Sequence, residues 1–319
     1  MNILVVTNLR SGFGDSGLNE YVRELGAHRV EITMRFLNED ADVEHLLRDA
    51  RDYARIVAAG GDGTVSAVAY ALRDTGIPVL PYPAGTANLI ARNLRIPIDP
   101  VELALATIAG RTVTIDLGEL TIPPSGGHVA RQYGFSIAAG AGFDARIMEA
   151  AHPLKATLGE GAYIIGAIQN LNPTSSAFTL TLDGRTVETE GIAVLLMNLA
   201  RIQFDLAVTH GADAQDGLFE VVVVKPTSAA GLLPAVWAAL LDRLRAHPER
   251  PGLEVHTASS VHVAATPRLP LEYDGEVLEA TTPFSARVLP RAATLIVSEE
   301  APLPRDDFGE PGLGSDDSA

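Results

Sequence analysis

Gly60-Gly61-Asp62-Gly63-Thr64 stands where an apolar strand pattern, Arg55 to Ala59, turns directly into an amphipathic helical pattern, Val65 to Leu72. Glycines lack a Cβ, so main-chain N–H groups can approach an anion closely there, and the following helix points its positive end at the same place. The segment therefore reads as a phosphate loop. Asp62 would repel phosphate on its own, and it implies Mg²⁺, a ribose or a phosphate-bound water. Taken alone, the loop also leaves open a tight strand-to-helix turn with an Asp cap. Gly85-Thr86-Ala87-Asn88 repeats the arrangement after a second apolar strand, Pro78 to Pro81, and before a helical pattern from Ala87 to Leu94. Glycine-bearing ends of neighbouring strands form the crevice in which open α/β sheets hold ligands.

Working outward, Ile3 to Thr7, Arg29 to Thr33 and Thr112 to Leu117 read as further strands separated by helical patterns. Asp99-Pro100-Val101-Glu102 is a helix start, with Asp99 as cap and Pro100 in the first turn. This alternation predicts a mostly parallel sheet with helices on both faces over residues 1–118. From about Glu119 the pattern changes. Phe178, Leu180 and Leu182 alternate with polar residues before Asp183-Gly184, and Val187 resumes the extended pattern, which predicts a hairpin with a primed turn. Ile192 to Met197, Val221 to Val224, Val261 to Ala264 and Ala286 to Leu289 add strands, interrupted by helical segments at about Gly159 to Leu171 and Ala229 to Ala246. The expected fold class is thus α/β plus β, the second domain being a β-sandwich over 119–289, with residues from about 290 to 300 returning to the first domain.

Composition excludes several classes. The 319 residues are 47% hydrophobic and 20% charged, enough for two ordinary cores. There is no cysteine, which removes disulfides, thiolate metal sites and a cysteine nucleophile, and is compatible with a reducing compartment. MNILVVTN at the start reads as a strand rather than a signal peptide, so a cytoplasmic location is expected. A net charge of −16 argues against nonspecific nucleic-acid binding and broad attachment to anionic membranes. Seven acidic residues and one arginine lie between Glu299 and Ala319, so residues 301–319 read as a disordered acidic tail. Eight scattered histidines show no metal spacing, and G-x-S-x-G is absent, which disfavours a lipase. Trp237 with Leu232, Leu233, Val236, Leu240 and Leu241 offers either an interfacial patch or a core stripe.

With both glycine loops in view, the chain resembles the lipid kinase family of bacterial diacylglycerol kinases and sphingosine and ceramide kinases. The landmarks are GGDGT at Gly60 to Thr64, GTANLIARNLRIP from Gly85 to Pro97 and AGAGFDA from Ala139 to Ala145. LK and GEGAY follow around Lys155 and Tyr163, then ADAQDGLFEV from Ala212 to Val221 and YDGE from Tyr273 to Glu276. The resemblance implies an NAD kinase/diacylglycerol kinase-like fold and transfer of the γ-phosphoryl group of ATP to a lipid hydroxyl, with Mg²⁺ required. It implies nucleotide contacts from Asn8, Ser11 and Gly12 in a first phosphate loop, from Gly60, Gly61, Asp62, Gly63 and Thr64, and from Gly85, Thr86 and Asn88. It places the catalytic base on Asp274 with Glu276 as acidic companion, and a Mg²⁺ on Asp213, Asp216 and the main-chain carbonyl of Leu218. Read without the family, Asp274-Gly275-Glu276 is a hairpin turn and Asp213 to Leu218 a capped turn. A lipid substrate, ATP and transient contact with a membrane surface are the expected partners, and a homodimer is left open.

Departures from the family pattern are Leu9 for a Pro, Ser66-Ala67 for Asn-Glu, Leu37 near a Thr position, Phe204-Asp205 for Gly-Gly, and His210 for a Pro. They motivate a rival from another class, a nonenzymatic lipid-binding or regulatory protein on the same fold. An NAD kinase-like phosphotransferase is the second rival, although an Asn-Glu pair is expected there in place of Gly85 to Asn88. Gly12-Phe13-Gly14-Asp15-Ser16-Gly17 also fits a dinucleotide fingerprint. Four residues between strand and glycine, and Glu31 placed inside a strand, make that context poor.

Overall fold

The computed structural model describes residues 1–8, 16–38, 42–124, 129–142, 175–199, 201–202, 206–207, 213–225 and 252–298. Ser11, Gly12, the LK and GEGAY motifs, both expected helical segments of the second half, Trp237 and the acidic tail lie outside the described residues. In chain order the first half comprises β1 (Asn2–Asn8), α1 (Ser16–Ala27), β2 (Glu31–Leu37), α2 (Val43–Leu46), β3 (Arg55–Gly60) and α3 (Asp62–Ala71). It continues with β4 (Val79–Pro83), α4 (Leu89–Asn93), α5 (Pro100–Ala109) and β5 (Arg111–Ile122). Strands β6 (Arg131–Phe135), β7 (Ala138–Ala141), β8 (Ser176–Leu182), β9 (Arg185–Gly191) and β10 (Ala193–Met197) follow. The remainder is β11 (Arg201–Ile202), β12 (Leu206–Ala207), β13 (Phe219–Val224), β14 (Leu253–Ala258), β15 (Ser260–Thr266), β16 (Pro270–Tyr273), β17 (Glu276–Thr281) and β18 (Phe284–Val297).

Strands β2, β1, β3 and β4 lie side by side in that order, all parallel. Ile3, Leu4, Val5 and Val6 of β1 are fully buried in a continuous apolar run, as a strand covered on both faces requires. Burying each such side chain contributes about 1.5–3 kcal/mol. Asp99 caps α5 by accepting the N–H groups of Val101 (2.9 Å) and Glu102 (3.0 Å). Tyr21 of α1 and Thr107 of α5 share a buried hydrogen bond of 2.7 Å, which fixes one helix on the other. The strand expected at Arg29 to Thr33 begins two residues later and runs on to Leu37, because Arg29 adopts a left-handed turn (φ 57°) after α1. The helix expected from Ala87 is the shorter α4, since left-handed Asn88 (φ 50°) delays its start.

The second half packs two sheets face to face. One has the order β14-β13-β10-β7-β16-β17. The other is no separate layer: it continues the parallel sheet as β18, β15, β8 and β9, with β5 attached to β18 and β6 to β5. Strand β18 makes this continuity. Phe284 to Arg287 pair with β15, whereas Leu295 pairs in parallel with Val79 of β4. Between those halves the register with β5 shifts from Leu289 to Ala293, and Arg291 is left-handed (φ 50°). The expected limits at 118/119 and near 290 therefore fall inside β5 and β18. Among the described residues two large cores result, and β5 serves both: Val113, Ile115 and Leu117 join the core of the parallel sheet, Leu120 and Ile122 the core between the sheets. The hairpin of β8 and β9 turns at Asp183 and Gly184, with φ of 48° and 85°, as its Asp-Gly pair predicts.

Candidate active site

The two glycine loops meet backbone to backbone at the carboxyl ends of β3 and β4. A Cβ on Gly85 would lie 2.4 Å from the Cα of Gly61, so only glycine permits this approach. Asn88 folds the second loop on itself, its Oδ1 accepting the N–H of Gly85 (2.8 Å) and its Nδ2 donating to the Gly85 carbonyl (2.9 Å). Asp62 ties the loops together: its Oδ1 accepts the N–H of Ile90 in the first turn of α4 (2.9 Å). Thr64 receives a hydrogen bond from Asn8 Nδ2 (3.1 Å), which joins the end of β1 to the first turn of α3.

Tertiary folding brings the turn between β16 and β17 onto this loop. A Cβ on Gly63 would stand 2.8 Å from Glu276 Oε1. Asp274 and Gly275 occupy the turn with φ of 46° and 84°. The Asp274 carboxylate is tightly held. Its Oδ1 accepts the N–H groups of Ile137 (2.8 Å) and Ala138 (3.1 Å), and its Oδ2 accepts Ser136 N–H (2.8 Å) and the Ser66 hydroxyl (2.5 Å). Burial pushes this carboxyl up to about 6, against the four hydrogen bonds, which favour the ionised form. Tyr273 is pushed up to about 12 by burial and by the charges of Glu276 and Asp274.

A cavity of about 880 Å³ opens beside these groups. Its lining includes Asn8, Gly63, Thr64 and Ala67 from β1, the first loop and α3, Tyr133, Tyr273 and Glu276 from the second half, and Leu37, Asp42 and Glu44. Tyr70 and Gln132 also line it, and both approach Glu119, a buried carboxylate, Gln132 Nε2 at 3.5 Å. Glu119 accepts the Tyr70 hydroxyl (2.6 Å) and Arg287 Nε (2.7 Å).

Asp213, Asp216 and Leu218 lie elsewhere, on a loop docked against β5. Asp213 accepts the N–H of Gln215 (3.0 Å) and Asp216 that of Leu218 (2.9 Å), so both cap their own turns. Asp116, buried in β5, accepts the N–H groups of Gly217 (2.7 Å) and Arg291 (2.6 Å) and so pins the loop to the bend of β18. Burial raises Asp116 and Asp216, and the charge of Asp213 raises both further. Asp116, Glu119 and Ser66 are absent from the sequence-derived candidates. An ionisable residue inside an apolar strand pattern is the signal that was available for the first two.

Two family models match the chain: the diacylglycerol kinase catalytic domain over residues 2–120, and the YegS C-terminal NAD kinase beta sandwich-like domain over residues 137–297. A Pseudomonas fluorescens protein named probable lipid kinase YegS-like is 30% identical over 91% of this chain and 95% of its own. The chain belongs to the lipid kinase family. A Staphylococcus carnosus protein named diacylglycerol kinase is 27% identical over 74% of each chain. Among solved structures, a diacylglycerol kinase from Bacillus anthracis has a TM-score of 0.69 at 21% identity, covering 93% of this chain and 97% of that one. Yeast NADH kinase has a TM-score of 0.53 at 12% identity, covering 100% and 89%, and shares the fold alone.

In this member of the lipid kinase family the two glycine loops are in contact, and the acid turn reaches the first of them. Among the described residues no helix is long and apolar enough to cross a membrane. No group of three or more His, Asp or Glu side chains among them is arranged to hold a metal ion. The side chains of Asp213 and Asp216 and the Leu218 carbonyl offer oxygen donors alone, the chemistry that a hard cation takes.

Proposed function

We propose that this protein is an ATP-dependent kinase that phosphorylates a hydroxyl of diacylglycerol or a related lipid. One observation supports the reading above others: the acid turn and the first glycine loop face one cavity, with Glu276 Oε1 2.8 Å from where a Gly63 Cβ would stand. The glycine loops and the N-terminus of α3 hold the phosphates through main-chain N–H groups, and Asn8 and Thr64 close the loop's edge. Ser11, Gly12 and Thr86 complete the nucleotide contacts on the family's pattern. Mg²⁺, when bound with ATP at Asp62, would neutralise charge on the phosphate oxygens. The acid turn, Asp274 with Glu276, serves the acceptor side, where a lipid hydroxyl loses its proton as it attacks. Asp213, Asp216 and the Leu218 carbonyl would hold a second Mg²⁺ that steadies the loop on Asp116. We assign residues 1–118 to nucleotide binding and 119–289 to the acceptor, in a peripheral protein that meets lipid at a membrane surface.

Purified protein incubated with labelled ATP, Mg²⁺ and either mixed diacylglycerol micelles or NAD tests the reading. Label in the lipid supports it, label in NAD supports the NAD kinase alternative, and label in neither supports a nonenzymatic lipid-binding role.

A further inference from the structure

Helix α3 carries the first glycine loop at its N-terminus and meets the second half of the chain at three levels. Gly63 faces Glu276, the Ser66 hydroxyl donates to Asp274, and the Tyr70 hydroxyl donates to Glu119 Oε2 (2.6 Å). Ser66 and Tyr70 are four residues apart, so both side chains leave the same face of the helix. The Tyr70 level is closely built. Its ring lies against the backbone of β6, where a Cβ on Gly134 would collide with Tyr70 Cγ and Cδ2. Arg73 also sits over the ring, its guanidinium carbon 4.2 Å from the centroid. Glu119, in β5, is buried and accepts Arg287 Nε (2.7 Å) from β18, so three elements of the second half converge on the end of α3. Tyr70 lines the cavity, yet its hydroxyl is committed to a carboxylate outside it.

We propose that the Tyr70–Glu119 hydrogen bond is a clasp that fixes the angle between α3 and the second half, making Tyr70 and Glu119 positioning residues for transfer to the lipid; this rests on the kinase reading. One anchor leaves a rod free to pivot, and two fix its direction. At about 1.5 Å per residue, Tyr70 stands about 6 Å along α3 from Ser66, and Gly63 about 4.5 Å away on the other side. Without the clasp, a parting of about 1 Å at Tyr70 swings Gly63 by roughly 0.75 Å about Ser66. A misplacement of about 1 Å at a reacting centre can cost on the order of 10²-fold in rate. Val65, Val68 and Ala69 pack α3 into the core of the parallel sheet, so the helix turns together with both glycine loops and Asn8. The clasp therefore governs how ATP is aligned with the acceptor, and leaves the affinity for ATP to the loops.

The test follows label from ATP into diacylglycerol micelles and into inorganic phosphate released to water, with ATP affinity by calorimetry and melting temperature, for wild type, Tyr70→Phe, Glu119→Gln, the double variant and Tyr21→Phe. Tyr70→Phe keeps the ring and removes only the hydroxyl. It should lower kcat on the lipid roughly 10- to 10²-fold and the share of label passed to lipid rather than water, with ATP affinity unchanged. The double variant should lose no more than the worse single one, because both substitutions break one bond. Tyr21→Phe is the control, since it removes a buried hydroxyl bond to Thr107 (2.7 Å) outside the cavity. It should lower the melting temperature yet keep wild-type kcat and partition. The clasp is overturned if Tyr70→Phe keeps wild-type kcat and partition whatever its melting temperature, if Tyr21→Phe loses both alike, or if the losses of the two single variants multiply in the double. Any of these in a wild type that labels lipid strikes the clasp alone. A wild-type protein that labels no hydroxyl lipid overturns the kinase reading itself, and the clasp with it.

Discussion

Substituting Gly85 by Ala tests whether contact between the two glycine loops is what makes the nucleotide site. The new Cβ would stand 2.4 Å from Gly61 Cα, 3.0 Å from Asn88 Oδ1 and 3.2 Å from Gly61 N. Carbon atoms in contact prefer about 3.5–4.0 Å, so the loops must part by about 1 Å or more. Both neighbours are constrained, Gly61 as the residue capping α3 and Asn88 by its hydrogen bonds to Gly85. Overpacking of this kind costs about 1–3 kcal/mol, offset by roughly 0.4–1 kcal/mol from the lower entropy of the unfolded chain. A net loss of about 1–2 kcal/mol corresponds to a fall of only about 2–3 °C in melting temperature for a chain of this size. Function should suffer more, because a misplacement of about 1 Å at a reacting centre can cost on the order of 10²-fold in rate. Gly63→Ala separates stability from chemistry, since its Cβ meets only the end of the Glu276 side chain. It should melt close to wild type yet turn over at least tenfold more slowly. Gly26→Ala is the control: nothing lies within 4 Å of its Cβ. Lying in α1, it should gain up to about 1 kcal/mol. Differential scanning fluorimetry and ATP titration read all three. Wild-type stability and ATP affinity in Gly85→Ala would refute the argument that the loops' contact builds the site.

Ser66→Ala removes a hydroxyl donor from a charged acceptor, worth about 1.5–3 kcal/mol in this class. Because that bond favours the ionised Asp274, its loss pushes the carboxyl further up from about 6. The stability penalty should therefore be full only above the raised value in the variant and shrink as pH falls toward and through 6, and chemical denaturation at pH 9 and pH 5 measures it. Equal penalties at both would count against it. Asp62→Asn retains the Oδ1 acceptor for Ile90 N–H. It should melt within about two degrees of wild type while binding Mg·ATP at least tenfold more weakly by calorimetry; a large drop in stability instead would make Asp62 a cap and nothing more. Asp216→Asn removes a charged ligand from the proposed second cation site. Its melting temperature should no longer rise with Mg²⁺ in the absence of nucleotide, since an ion bound only to the folded state stabilises by mass action. A response equal to wild type would return the pair to turn caps.

Sequence alone determined whatever local chemistry encodes. Apolar runs at β1, β3 and β4, glycines placed where strand turns to helix, Asp99-Pro100 before α5 and Asp183-Gly184 between β8 and β9 each constrain only a few neighbouring residues, so one-dimensional pattern suffices to read them. The family landmarks likewise pointed to a phosphate site and an acid turn without coordinates. Tertiary structure decided what depends on residues far apart in the chain. Ser66 reaches Asp274 across 208 positions, and Asp116 meets Arg291 across 175; neither pairing has a local signature. Nor does the bend of β18, which lets one strand serve the parallel sheet and the sandwich and so merges layers that the pattern reads as separate. The difference between Asp274 and Glu276 arises the same way. Two carboxylates two residues apart look equivalent in sequence, and only the backbone of β6 and β7 with the face of α3, folded around one of them, fills its acceptor sites and leaves the other lining the cavity.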